Sequence, residues 1–190
     1  MKKIILSLLF VFSLFWATNF SFSPPKAKGK VGEIKTFQLE AQYQHIPCLV
    51  GIKTVEISYE NLLPISTSEW ESLSPGRFRK IITVKLKREG RGKIKVSHLC
   101  PIKESKGEVI IEIEKRTFEE AYREARNLLS DLFLGKDINL EYLKATLEEL
   151  LANSPQAKDK ETKDFLAKAK LILQNIERIF KTASEIISGD

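Results

Sequence analysis

The apolar residues of this chain change their spacing once, at Thr117, and that change limits the folds open to it. From Gly32 to about Lys115 apolar and polar residues alternate, the period of strands whose successive side chains point to opposite faces. Phe37, Leu39, Ala41 and Tyr43 make one such face, and Val55, Ile57 and Tyr59 a second. Ile82, Val84 and Leu86 make a third, Ile94 and Val96 a fourth, and Val109, Ile111 and Ile113 a fifth. Turn formers such as Ser74-Pro75-Gly76, Glu89-Gly90-Arg91-Gly92 and Lys106-Gly107 separate them. Six or seven short strands in about 85 residues predict a two-layer β-sandwich over 33–116.

After Thr117 the apolar spacing is three and four. Thr117-Phe118-Glu119-Glu120 reads as a capping box, followed by the stripe Phe118, Ala121, Tyr122, Ala125, Leu128, Leu129 and Leu132 up to a stop at Gly135. A second helix follows Asn139, with Leu140, Leu143, Leu147, Leu150 and Leu151 on one face, and Asn153-Ser154-Pro155 ends it. A third runs from about Pro155 or Asp159 to Ile187. The fold class expected is therefore mixed: an all-β sandwich, then an all-α, three-helix antiparallel unit over 117–190.

The start of the chain carries an address. Met1-Lys2-Lys3 and the mostly apolar run from Ile4 to Ala17 have the form of an export signal, so residues 1–23 are expected to be either a cleaved signal or an N-terminal anchor. For an anchor, Ile4 to Phe22 supplies 19 residues, just enough for a bilayer. Residues 24–32 (PPKAKGKVG) read as a linker. The expected location is outside the cytoplasm, periplasmic or extracellular. Charged residues make up 29% of the chain while Met and Cys are scarce, a bias that leans toward a thermophilic source.

Every Cys and His lies in one of two short clusters, His45-Ile46-Pro47-Cys48 and His98-Leu99-Cys100-Pro101. Cys48 shares strand parity with Ile46 and Val50, and Cys100 with Ile94 and Val96, so both thiols are expected to face the core. The 52-residue separation of the cysteines, with Trp70 between them, resembles an immunoglobulin-type domain at the level of fold. Trp70 stands later than that family's core tryptophan, and His98 holds the place of its corner tyrosine.

Three chemistries are open to these residues. An oxidising compartment favours a Cys48–Cys100 disulfide, which on the chain-entropy model contributes roughly 4 kcal/mol to a small core. His45, Cys48, His98 and Cys100 also form a ligand set for Zn²⁺ or Cu⁺, although His45 and Cys48 share a face only if Pro47 makes a bulge. A thiol redox pair is the third, without a C-x-x-C motif to support it. Hydrolytic motifs are missing from the sequence: there is no G-x-S-x-G elbow and no phosphate-cradling glycine loop, and pairs such as Glu56 and Glu60 fit a solvated strand face. The chain is expected to be a non-catalytic binding or scaffold protein without a cofactor.

Two surfaces are candidates for that binding. Residues 24–116 carry a net charge of +7 and residues 117–190 a net charge of −3. Arg79, Lys85, Lys87, Lys93 and Lys95 have outward parity and are expected on one hairpin, as a basic face for an anionic envelope component. Nucleic acid is not expected, since no aromatic residues interleave with these lysines. In the helical part, a third helix of about 30 residues would be roughly 45 Å long and outreach its companions. Ile179, Phe180, Ala183 and Ile187 are the expected interface with a protein partner or a second copy.

Overall fold

The computed structural model describes residues 18–44, 50–99 and 104–188, of which residues 187 and 188 are described as backbone alone. The chain divides between Lys115 and Arg116 into two compact units.

Among the described residues the first unit contains nine strands. These are β1 (Thr18–Ser23), β2 (Lys26–Lys30), β3 (Ile34–Tyr43), β4 (Glu56–Glu60), β5 (Leu62–Thr67), β6 (Glu71–Ser74), β7 (Arg77–Leu86), β8 (Gly90–Leu99) and β9 (Glu104–Glu114). One sheet has the order β1-β3-β7-β5, with β6 also pairing β7, and the other the order β2-β9-β8-β4. All pairings are antiparallel except β2 with β9. This is the immunoglobulin order, A-B-E-D facing G-F-C, with β2 added beside the last strand.

The alternation read from the sequence is what fills the space between the sheets. Phe37, Leu39, Ile82, Val84 and Leu86 from one sheet and Ile94, Val96, Val109, Ile111 and Ile113 from the other are all buried in a single cluster. Each such side chain contributes about 1.5–3 kcal/mol by leaving water. Val55, Ile57, Tyr59 and Trp70 pack against the cluster from its margin, and Lys80 Nζ lies 5.4 Å from the Trp70 ring centre.

The start of the described chain departs from expectation. Thr18–Ser23, assigned above to the export segment, forms β1 and pairs with β3 from Thr18↔Tyr43 to Ser23↔Gln38. The expected 19-residue span from Ile4 to Phe22 therefore runs into a strand, and no helix among the described residues is long and apolar enough to cross a membrane. The expected linker 24–32 holds β2, and Val31 directly after it is buried in the core. Pro24 and Pro25 mark where the chain leaves one sheet for the other, since neither offers an N–H to continue a ladder. Phe20 and Phe22 face inward from β1 and pack against the core. Room for Phe20 is made at Gly107 of β9, where a Cβ would lie 2.7 Å from Phe20 Cβ and 3.1 Å from Val96 Cγ1.

The second unit holds three helices, α1 (Phe118–Phe133), α2 (Leu140–Ala152) and α3 (Lys160–Ser188). The capping box at Thr117 is present, with Glu120 N–H donating to Thr117 Oγ1 at 3.2 Å and Thr117 N–H to Glu120 Oε2 at 2.7 Å. Gly135 takes φ 72° just past α1, the left-handed position a glycine fills without strain. Asn139 caps α2 through Tyr142 N–H, and Asp159 accepts from Thr162 N–H at the start of α3, which holds its carboxyl below the usual carboxylate range. Phe118, Ala121, Ala125, Leu129, Leu143, Leu147, Leu150, Leu166, Ala169 and Ile176 form one buried cluster.

That cluster has one buried charge beside it. Arg116, expected at the end of the sandwich, belongs to the helical unit and is 5% exposed. Its Nε donates to Glu149 Oε2 at 2.9 Å, and its Nη2 to Thr146 Oγ1 at 3.2 Å. Tyr142, Thr146 and Glu149 stand at helical spacing along α2, so a single guanidinium ties the entry of the unit to that helix.

Two outcomes follow from these contacts. A chain beginning at Pro24 should unfold its sandwich at lower urea than one beginning at Thr18, by about 3 kcal/mol or more, because Phe20, Phe22 and a whole strand are lost. Equal midpoints would show that β1 contributes nothing. Arg116→Met should cost the helical unit about 3–5 kcal/mol by leaving Glu149 buried without its cation. Adding Glu149→Leu should recover most of that loss in urea melts followed by circular dichroism.

Candidate functional site

One end of the sandwich brings together polar groups that the interior otherwise excludes. His98 on β8 is fully buried, as are Thr18 on β1 and Ser105 on β9 to within a few per cent. Thr18 Oγ1 and His98 Nδ1 are 2.9 Å apart, and Thr18 N–H donates to Ser105 Oγ at 2.8 Å. Thr18 belongs to one sheet and its two partners to the other, so these bonds cross the core. Tyr43 at the end of β3 stacks on His98, with ring centres 5.7 Å apart and planes at 12°, and meets Phe78 at 5.4 Å. The two segments that carry His45 and Cys48, and Cys100, leave from the strand ends at Tyr43 and Leu99. His45, Cys48 and Cys100 themselves, with their expected core-facing parity, disulfide or metal ligation, lie outside the described residues.

The basic face expected from Arg79, Lys85, Lys87, Lys93 and Lys95 does not form. β7 and β8 are consecutive but belong to different sheets, so Arg79 and Lys85 project from one outer face and Lys93 and Lys95 from the other. Lys87 lies beyond β7, its N–H donating to Asn61 O at 3.3 Å. Sequence parity cannot distinguish a hairpin within one sheet from a crossing between two, and this is where that reading fails.

Acidic neighbours also meet Arg79, Lys93 and Lys95. Arg79 Nη2 is 2.6 Å from Glu71 Oε2, and Arg77 Nη2 is 2.7 Å from Glu40 Oε2. On the second sheet Lys28 pairs with Glu112 at 2.7 Å, Lys93 with Glu108 at 3.8 Å, and Lys95 with Glu60. The hydrogen bond from Lys28 holds the Glu112 carboxyl below its ordinary value and that of Lys95 does the same for Glu60, while Glu112 raises Lys28. Charged outward side chains on this sheet thus run Lys on β2, mainly Glu with Lys106 on β9, Lys and Arg on β8, and Glu on β4. A shallow groove of about 930 Å³ over β4, β8 and β9 is lined by Glu56, Ser58, Lys95, Ser97, Lys106 and Glu108, with both signs of charge.

In the helical unit, the expected interface is divided between core and solvent. Phe180 is half-buried against the helical cluster, whereas Ile179 is 57% exposed and Ala183 is exposed. The side chain of Ile187 is outside the described set. Ile186 at 75%, Leu171 at 60%, Phe133 at 77% and Leu134 at 70% are also in solvent. Sequence periodicity merged the two groups because Phe180 and Ile179 are neighbours on one broad apolar arc.

No family model matches this chain, and no curated protein matches it. Among solved structures it is similar to the BIgI domain of beta protein from S. agalactiae bound to CEACAM1, at 10% identity and a TM-score of 0.33, over 53% of this chain and 99% of that one. It is also similar to a chimeric titin Z1Z2 functionalised with a KLER exogenous peptide from decorin, at 11% identity and a TM-score of 0.29, over 53% and 98%. A third is the M1 domain from titin, at 11% identity and a TM-score of 0.27, over 52% and 91%.

The polar bridge at the sandwich end yields a test. Thr18→Val keeps the shape and the backbone bond to Ser105 but deprives His98 Nδ1 of its partner, so the sandwich should lose about 1–3 kcal/mol in urea unfolding. A midpoint equal to the parent's would assign the bond no energetic role.

Proposed function

We propose that this chain is an exported, non-catalytic binding or scaffold protein of the cell envelope, periplasmic or extracellular, which holds a protein partner or a second copy through its helical unit. One observation carries the reading. The helical unit has a complete apolar core and still leaves Phe133, Leu134, Leu171, Ile179 and Ile186 in solvent. Apolar side chains in such number are a cost in an isolated unit and a source of affinity against a partner. The helices form an antiparallel unit in this reading, supported by the Tyr122 and Phe165 rings in edge contact at 4.8 Å and by Lys144 within 3.9 Å of Glu177.

Export is supported by the basic and apolar start of the chain, and the Cys48–Cys100 disulfide by the stacking of Tyr43 on His98 at the strand ends leading to both cysteines. The mutual pairing of the sheet charges favours a protein over an anionic polysaccharide or lipid as the partner. The competing reading, Zn²⁺ or Cu⁺ held by His45, Cys48, His98 and Cys100, has to use His98 through Nε2, because Thr18 Oγ1 sits on Nδ1.

Cell fractionation followed by intact mass and metal content tests the proposal. The expected product is in the exported fraction, without metal, and lighter than its reduced chain by two hydrogen atoms. Zinc or copper bound with free thiols would favour the metal reading, and a full-length cytoplasmic product would refute export.

A further inference from the structure

The third helix carries a repeat that its own unit uses only in part. Phe165, Ile172, Ile179 and Ile186 recur at strict seven-residue intervals along α3. A straight helix of 3.6 residues per turn drifts about 20° per heptad against such a repeat, so the line of these side chains moves gradually round the helix. Exposure follows that drift: Phe165 and Ile172 pack against the helical cluster, Ile179 is 57% exposed and Ile186 is 75% exposed. A sustained seven-residue apolar repeat is the pattern of a helix with another helix laid along it. The first half of α3 has that companion within the chain. The helical cluster still reaches Ile176 and Phe180, but the seven-residue line leaves it after Ile172, and Ile179 and Ile186 run on as a bare seam.

The charges beside the seam indicate what lies on it. Arg178 and Glu185 are also seven residues apart and flank Ile179 and Ile186 on the same edge. Glu185 is 3.8 Å from Lys181 in an exposed pair, which leaves its carboxylate at the surface. In a parallel pair of such helices the two-fold axis puts the two copies of this edge on opposite sides of the seam, so neither Arg178 reaches a Glu185. In an antiparallel pair each Arg178 meets Glu185 of the second copy, and two-fold symmetry makes the contact twice.

We infer that two copies of this chain associate by antiparallel pairing of the ends of α3, with Ile179 and Ile186 in the seam and reciprocal Arg178 and Glu185 contacts on its rim. The inference rests on the proposal that the helical unit is an association surface, and names the partner as a second copy.

Sedimentation of the full chain over a concentration series, with charge-reversal variants, tests it. The parent should pass from monomer to dimer. Ile186→Glu should stay monomeric with an unchanged helical spectrum, because that side chain is mostly in solvent. Arg178→Glu and Glu185→Arg should each weaken the dimer by about tenfold, since each replaces two attractive rim contacts by two repulsive ones. The double variant should regain the parent's affinity. A dimer indifferent to both reversals would overturn the antiparallel arrangement. A parent that is monomeric throughout would overturn the second copy as partner; capture of another protein that Ile186→Glu abolishes would then leave the association surface itself standing.

Discussion

The first unit depends on one constraint: two sheets must bury a face each against the other while both outer faces stay wet. Strict alternation on β3, β7, β8 and β9 satisfies it, because every second residue from Phe37 to Ala41, from Ile82 to Leu86 and from Val109 to Ile113 enters the same core. A one-residue slip of any of these strands would turn its entire apolar set outward. The remaining strands then have fewer positions open to them. β1 and β2 cover the edges of β3 and β9, and β4, β5 and β6 the edges of β8 and β7.

Among the described residues of the sandwich, the core departs from purely apolar packing at the end that holds Thr18, His98 and Ser105. A buried histidine there needs partners, and the facing sheet supplies two, Thr18 by hydrogen bond and Tyr43 by stacking. The result is a set of directional contacts that ties the two sheets together at that end. In the helical unit Arg116 has a comparable place, since its charge is tolerated only because Glu149 and Thr146 meet it.

Central strands and helix ends were legible in the sequence because each writes its own local signal. The five apolar faces, the Thr117 capping box and the Gly135 stop are where periodicity and cap chemistry put them. Edge strands write almost none. In β2 only Ala27 and Gly29 face inward among three lysines, which reads as a linker, and Pro64 breaks the alternation of β5 where its register shifts. β6 has four residues, all exposed. The polar bridge was half visible, since His98 stood out as a rare residue, but nothing local links it to Thr18, 80 positions away. Arg116 was missed for the same reason, although Tyr142, Thr146 and Glu149 lie on α2 at spacings that place them on one line.

The alternation of charge from strand to strand has a meaning apart from binding. Exposed ion pairs of this kind add little to stability. On the second sheet, however, β2 and β8 are positive and β9 and β4 mainly negative, so only orders that alternate the two kinds set every strand beside its opposite, and the observed order is one of these. Any order that placed β2 against β8, or β9 against β4, would set like charges beside one another. The surface charges work as an addressing code for neighbours. They disfavour strand orders that set like-charged neighbours side by side, a discrimination that inward apolar faces do not make.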